Sequence, residues 1–289
     1  MKELDIGLCG TQHPQISSEF KKLYSELFTA VKSSFPDIEL SKFFPIQGIT
    51  YDETLQLSKT TPFDSTVLED PKEKEKYLEP AVRLMVFGRS PNGWTELSEK
   101  DAKSFSRAAS SALTSYDGFS WLTNEGRGVD TYIDKNKKEC RYNINKSAFF
   151  RTIRRITNEL KPISNYQPRW FENIVWSNLY TVSPKDSGNA EGKLQDIQLE
   201  ISKKIIVEQI KFYKPTHILF ITDWDYWFER FSDIFPEVEK TGDSQIDNVV
   251  GHGKYNNTKI VVTIRPDRTK PNKPNEEKFA LDVVNCFKS

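Results

Sequence analysis

The stretch VRLMVFGRSPNGWTELSEKDAKSF, Val82 to Phe105, decides how the rest of the chain is read. The run AVRLMVF (81–87) is apolar, short and bounded by a turn, which predicts a strand buried on both faces. Gly88-Arg89-Ser90-Pro91-Asn92-Gly93-Trp94 breaks that run, and LSEKDAKSFSRAASSAL (97–113) then follows helical spacing, with Ser98 and Asp101 in capping-box relation. A plain strand-to-helix connection takes roughly two to six polar residues and needs neither arginine nor tryptophan. Gly88 and Gly93 allow a sharp turn and close backbone approach to a ligand, while Pro91 fixes the loop's shape. Amides ahead of a helix can receive an anion or a carbonyl oxygen. The turn lacks the Lys-Ser/Thr of a P-loop and the G-x-G-x-x-G of a dinucleotide fold.

The same alternation continues outward. SSEFKKLYSELFTAVKSSF (17–35), NKSAFFRTIRRITNEL (145–160), KLQDIQLEISKKIIVEQIKFY (193–213) and EEKFALDVVNCFKS (276–289) carry apolar residues at spacings of three and four. In the second of these, Phe149, Ile153, Ile156 and Leu160 are expected on one face. ENIVWSNLYTVSP (172–184) reads as a short strand feeding a loop, and DYWFERFSDIF as a short helix. THILFIT (216–222) and NTKIVVTIRPD (257–267) are further continuous apolar strands. Apolar strands alternating with helices predict an α/β fold: three layers, α/β/α, around a central, mostly parallel four-stranded sheet. Residues 1–75, interrupted by Pro36, Pro45, Pro62 and Pro71, are expected as an N-terminal helical extension packed on a core of 76–289, all within a single domain 1–289.

Composition bounds the function without choosing it. The 289 residues are 37% hydrophobic and 28% charged, with 41 basic and 41 acidic side chains, so no global basic charge argues for nucleic acid. Three scattered cysteines, Cys9, Cys140 and Cys286, form no disulfide or metal pattern and point to a reducing cytoplasm. No secretory leader is expected at the N-terminus, and no run approaches the ~18 apolar residues of a membrane span. No cofactor motif is present, and His13, His217 and His252 show no metal-ligand spacing. His217, at a strand start opposite the expected ligand edge, reads as structural, and His252 in VVGHGKY as part of a hairpin-like turn.

In a parallel sheet, ligands bind beyond the carboxyl ends of the strands. Four segments therefore matter: Gly88–Trp94, Trp176–Pro184, Asp223–Tyr226 and Arg265–Arg268. Asn178 offers two donors and an acceptor, suited either to a pyrimidine edge or to its own loop. Arg265 is a permanent cation for phosphate or a developing anion, or else a surface partner of Asp223 or Asp267. Trp224, Tyr226 and Trp227 read as core of a short helix or as a stacking platform for bases.

The order GRSPN (88–92), IVWSNLYTVSP (174–184), KFYKPTHILFIT (211–222) and VVTIRPDR (261–268) resembles the uracil-DNA glycosylase-like superfamily over roughly residues 81–289. That family has a G-x-[Asp/Asn/Ala]-P-x loop after its first strand, a strand ending in Asn, and a last strand ending in His-Pro-Ser. The resemblance implies binding of a flipped nucleobase and hydrolysis of its N-glycosidic bond in DNA. By position, Ser90 and Arg265 would be the catalytic residues, Ser90 at the water-positioning place and Arg265 at that of the leaving-group His. Gly88, Pro91, Trp94 and Asn178 would bind the base, and Arg268 and Lys270 the phosphates. The departures are Ser90, which brings no negative charge to the sugar, and the missing His-Pro-Ser. Two alternatives stay open: a non-catalytic nucleotide or nucleic-acid binding protein keeping the fold, and an unrelated α/β enzyme acting on a phosphorylated small molecule.

Overall fold

The computed structural model describes residues 18–42, 46–47, 83–91, 95–96, 131–133, 139–141, 147–160, 174–185, 188–241, 248–266 and 276–289. The chain opens with helix α1 (Ser18–Ser34), then strands β1 (Leu40–Lys42), β2 (Ile46–Gln47), β3 (Leu84–Gly88), β4 (Thr95–Glu96), β5 (Thr131–Ile133) and β6 (Glu139–Arg141). Helix α2 (Ala148–Leu160), β7 (Ile174–Asn178), β8 (Val182–Pro184), α3 (Lys193–Tyr213) and β9 (His217–Ile221) follow. A 3-10 helix (Phe228–Ile234), β10 (Val238–Lys240), β11 (Val249–Tyr255), β12 (Thr258–Thr263) and α4 (Glu276–Lys288) complete it.

The class is α/β. The main sheet has the order β10-β11-β12-β9-β3-β7-β2. β3 pairs in parallel with β7 on one side and β9 on the other, and β9 pairs in parallel with β12. The continuous apolar runs explain these inner positions: Leu84–Gly88 and Ile174–Asn178 are buried at every residue. The expected count of four strands is too low. β10, β11 and β2 add to the sheet antiparallel, and a further sheet has the order β4-β1-β8. Two of these added strands have three and two residues, too few for any periodic signal.

Successive strand side chains face opposite ways, and two hydrophobic clusters follow. Met85, Phe87, Ile218, Phe220, Ile260 and Val262 pack with α1, α3 and the 3-10 helix. Leu84, Val86, Leu219, Ile221 and Val261 pack with α2 and α4. α1 joins the first cluster through Leu23, Leu27, Phe28 and Val31, and the buried hydroxyl of Tyr24 accepts a hydrogen bond from Gln209 Nε2 at 3.1 Å. α2 and α4 are tied at the surface by Arg151 to Glu276 (2.5 Å) and Arg155 to Glu277 (3.3 Å). α2 buries Phe150 with Ile153 and Ile156, whereas Phe149 is only half-buried, so the expected face turns by one residue at its start. α3 ends where Lys214 adopts the left-handed conformation (φ 45°), its N–H bonding Ile210 O at 2.9 Å before Pro215.

His252 corrects the expected turn: it lies exposed within β11, opposite Val261, and the hairpin turn falls after Tyr255. His217 starts β9, with its ring 4.9 Å from Phe287 and edge-on to it. Burial, then the charge of Lys259, holds its pKa down at about 4.

Candidate functional site

Parallel pairing brings the carboxyl ends of β3, β7, β9 and β12 to one edge, and a cavity of about 300 Å³ opens there. It is reached by residues that follow β3, end β7 and β9, follow β12, begin α2, and lie in the loop before α3. A larger, more open groove of about 730 Å³ runs between the second half of α2 and α4, lined by Arg154, Arg155, Glu159, Glu277 and Leu281. We place the candidate site in the smaller cavity because it is where the strand-end polar groups meet.

The loop after β3 is held by continued pairing with the end of β7. Leu179 N–H donates to Gly88 O (2.9 Å) and Tyr180 N–H to Arg89 O (3.0 Å). That zipper places Gly88, Ser90 and Pro91 on the same cavity wall as Asn178. A Cβ on Gly88 would lie 2.5 Å from Asn178 Oδ1 and 3.6 Å from the Phe149 ring. The glycine is required here by close approach.

Asn178 is 5% exposed, and its Nδ2 has no hydrogen-bond partner among the described residues. An unsatisfied buried donor costs about 1–3 kcal/mol, a cost an incoming acceptor would offset. Ser90 is engaged in both directions: its hydroxyl donates to Asn189 Oδ1 (3.3 Å) and accepts from Ala190 N–H (3.0 Å). It anchors the loop before α3 at the cavity wall. Arg265 is exposed and lines the cavity, and its backbone N–H donates to Asp223 Oδ1 at 3.1 Å.

Arg89, which the motif reading passed over, joins two of the strand-end loops. Its Nε donates to Thr222 O at 3.0 Å, its Nη2 pairs with the Asp223 carboxylate, and its guanidinium lies 4.9 Å from the centre of the Trp227 ring. Its charge is therefore largely offset within the protein. Asp223, the carboxylate that follows β9, is taken up by this contact and by the Arg265 N–H. Asp225 pairs with Lys240 at 2.7 Å and does not line the cavity.

The apolar wall comes from Phe149, Phe150 and Trp176. Phe150 meets Trp176 edge-to-face at 5.0 Å, and Phe149 stands 6.1 Å from the same ring. Trp94, Arg268 and Lys270 lie outside the described residues, as do His13 and the expected helix 97–113. Trp224 and Trp227 are buried, while Tyr226 is 81% exposed on the loop after β9. Among the described residues, no group of three or more His, Cys, Asp or Glu is placed to hold a metal, and no helix is long and apolar enough to cross a membrane.

Five of the residues singled out by the strand-end rule, Gly88, Ser90, Pro91, Asn178 and Arg265, thus line one cavity. Arg89 and Trp176, which lie in the strand-end segments but were given no role, join them, as do Phe149 and Asn189, which lie outside those segments. The one local signal for Asn189 was its place beside Gly188, in a polar loop closed by Gly192; both glycines have positive φ. In comparison with known proteins, the chain matches no family model, and no curated protein matches its sequence.

Proposed function

We propose that the edge cavity binds a nucleobase, within a uracil-DNA glycosylase-like frame of three α/β/α layers around four parallel strands. The observation that carries this reading is the buried, unpartnered Nδ2 of Asn178, in one cavity with Gly88, Pro91, Ser90 and Arg265. A flat ring against Phe149 would turn a carbonyl edge toward that amide. Aromatic contact of this kind contributes ~1–3 kcal/mol per base. A base flipped from DNA, or the base of a nucleotide, meets the same groups.

The cavity supplies less for hydrolysis than for binding. The Ser90 hydroxyl already serves Asn189 and Ala190, and no described lining residue is a carboxylate. The site can stabilise a departing anion through Arg265, yet it lacks a base or a negative charge for the sugar, a loss worth ~10²–10⁴-fold in rate. That observation favours a second reading, a binding protein that keeps the fold without turnover.

The test pairs binding with turnover. Deoxyuridine and uracil-containing single- and double-stranded DNA are titrated against the full chain and Asn178→Ala, and abasic sites are scored after long incubation. The expected result is binding that falls about ten- to a hundredfold in Asn178→Ala, with slow or absent excision. Absence of binding to every uracil-containing ligand would sink the nucleobase reading; rapid excision would sink the non-catalytic one.

A further inference from the structure

Two arginines, Arg89 and Arg265, and no carboxylate stand among the described residues that line the cavity. The carboxylate that answers Arg89 lies outside the lining, on Asp223, two residues beyond the end of β9. Every polar group of Asp223 is engaged. Its N–H donates to Thr263 O at 2.9 Å, and its carbonyl accepts from the Thr222 hydroxyl at 3.0 Å. Its Oδ1 accepts from Arg265 N–H at 3.1 Å, and its Oδ2 pairs with Arg89 Nη2. Arg89 in turn donates through Nε to Thr222 O at 3.0 Å and lies over the buried Trp227 ring. One residue thus joins the ends of β3, β9 and β12. It does so in left-handed backbone (φ 67°), which Asp and Asn tolerate better than most side chains.

Stability alone does not account for this wiring. An ion pair with both side chains partly exposed, as Arg89 and Asp223 are, adds little to folding. Its larger effect is on the field in the cavity. A guanidinium without a counter-charge attracts an anion across several ångströms, and a carboxylate bound to it cancels most of that attraction. A site built to hold an anion leaves its arginine open to the ligand. Here Nε, Nη2 and one face of the Arg89 guanidinium are all turned to the protein.

We propose that Asp223 is a positioning residue that sets the charge selectivity of the cavity. By pairing with Arg89 at the end of β9, it fits the site to an uncharged ligand and against an anion. That the uncharged ligand is a nucleobase rests on the reading above; the effect of Asp223 on anions does not. Arg265 is common to every chain compared below, so differences between them report on Arg89 and Asp223.

Calorimetric titration of the full chain at low ionic strength tests this. The ligands are deoxyuridine, which is neutral, deoxyuridine monophosphate and inorganic phosphate. The proteins are the wild type, Asp223→Asn, Arg89→Gln and the double variant. Asn keeps the left-handed backbone and the Oδ1 acceptor, so Asp223→Asn removes the charge alone, and its unfolding midpoint checks the fold. The expected result is that Asp223→Asn binds phosphate about tenfold or more tightly than the wild type does. Its preference for the monophosphate over deoxyuridine should rise by a similar factor. Both gains should shrink as salt is added and vanish in the double variant, which a merely structural loss would not do. In Arg89→Gln the Asp223 carboxylate is left uncompensated, so phosphate and the monophosphate should bind about fivefold or more weakly than to the wild type. That variant carries the test if Asp223→Asn does not fold. Unchanged or weaker phosphate binding by folded Asp223→Asn overturns the proposal. A gain in phosphate binding with no deoxyuridine binding by any of the four proteins leaves it standing and removes the nucleobase reading alone.

Discussion

Gly88 and Asn178 face each other so closely that the identity of one controls the other. A methyl group on Gly88 would stand 2.5 Å from Asn178 Oδ1, so the amide, as the end of a side chain, would move before the backbone does. We expect Gly88→Ala to cost about 1–3 kcal/mol, as overpacking of a tight contact does, and to abolish binding by displacing the Asn178 amide. Denaturant unfolding alongside ligand titration checks this; full binding in Gly88→Ala would mean that Asn178 does not contact the ligand. His217, at the opposite end of its strand, supplies a pH prediction. Its ring titrates near 6.5 when unfolded and at about 4 in the fold, through burial and then Lys259. Between those values the unfolded chain binds a proton that the native chain refuses, so stability falls as pH drops from about 6.5 toward 4. Above that window His217 adds no pH dependence. His217→Gln should flatten this loss, read as the difference between urea midpoints at about pH 7 and about pH 4.5. An unchanged slope in the variant would show that another group is responsible.

Strand β8 shows how an element too short to be read from sequence is held in place. One of its edges pairs with β1, and Gln198 of α3 serves the other: Val182 N–H donates to Gln198 Oε1 and Gln198 Nε2 to Val182 O, both at 2.9 Å. The same Nε2 reaches Leu194 O at 3.0 Å, and the side chain is fully buried. Gln198→Leu should therefore cost about 2–4 kcal/mol, since two buried backbone groups lose their partners. A urea midpoint that shifts without a change in slope would show this; a shift of under ~0.5 kcal/mol would mean water replaces the amide. Such side-chain-to-strand contacts also explain what the sequence shows and what it hides. α3 was legible to both ends, 193–213, because its helical run is long and Pro215 blocks continuation. β3, β9 and β12 were legible as continuous apolar runs. β1, β2 and β10 span two or three residues and carry no period, and VVGHGKY reads as a turn because Gly251 and Gly253 sit inside a strand. Gly251 is there to admit the Trp224 ring, a long-range reason that no local pattern displays. The site divides in the same way. Residues at strand ends follow from the parallel-sheet rule, while Phe149 and Asn189 enter from a helix start and a loop whose positions only tertiary packing sets.

The molecule's two hydrophobic clusters are unequal in what they draw on. The cluster against α2 and α4 is built from residues after Arg83, but the other takes in the α1 side chains Leu23, Tyr24, Leu27, Phe28 and Val31, each at most 1% exposed. These cover α3 and the same buried layer as Met85, Phe87, Phe220 and Val262, and β2 pairs antiparallel with Val175 and Trp176 of β7. The cavity depends on that arrangement, because Asn178 is the last residue of β7 and its position follows from the pairing on both sides of that strand. At roughly 1.5–3 kcal/mol for each buried large side chain, the five α1 residues contribute on the order of 10 kcal/mol. That is comparable with the whole stability of a typical domain, about 5–15 kcal/mol. A chain lacking residues 1–47 should therefore not fold cooperatively. It should bind a hydrophobic dye, lose its near-ultraviolet circular dichroism, and give no sharp thermal transition. Replacing only Leu27 and Phe28 with alanine should lower stability by about 5–9 kcal/mol if the two sites act additively, and less if they relax together. A truncated chain that unfolds in one cooperative step and still binds a uracil nucleoside would show that the helix merely covers a self-sufficient core. Cooperative loss of both folding and binding would show instead that the first 47 residues are part of the frame that holds Asn178.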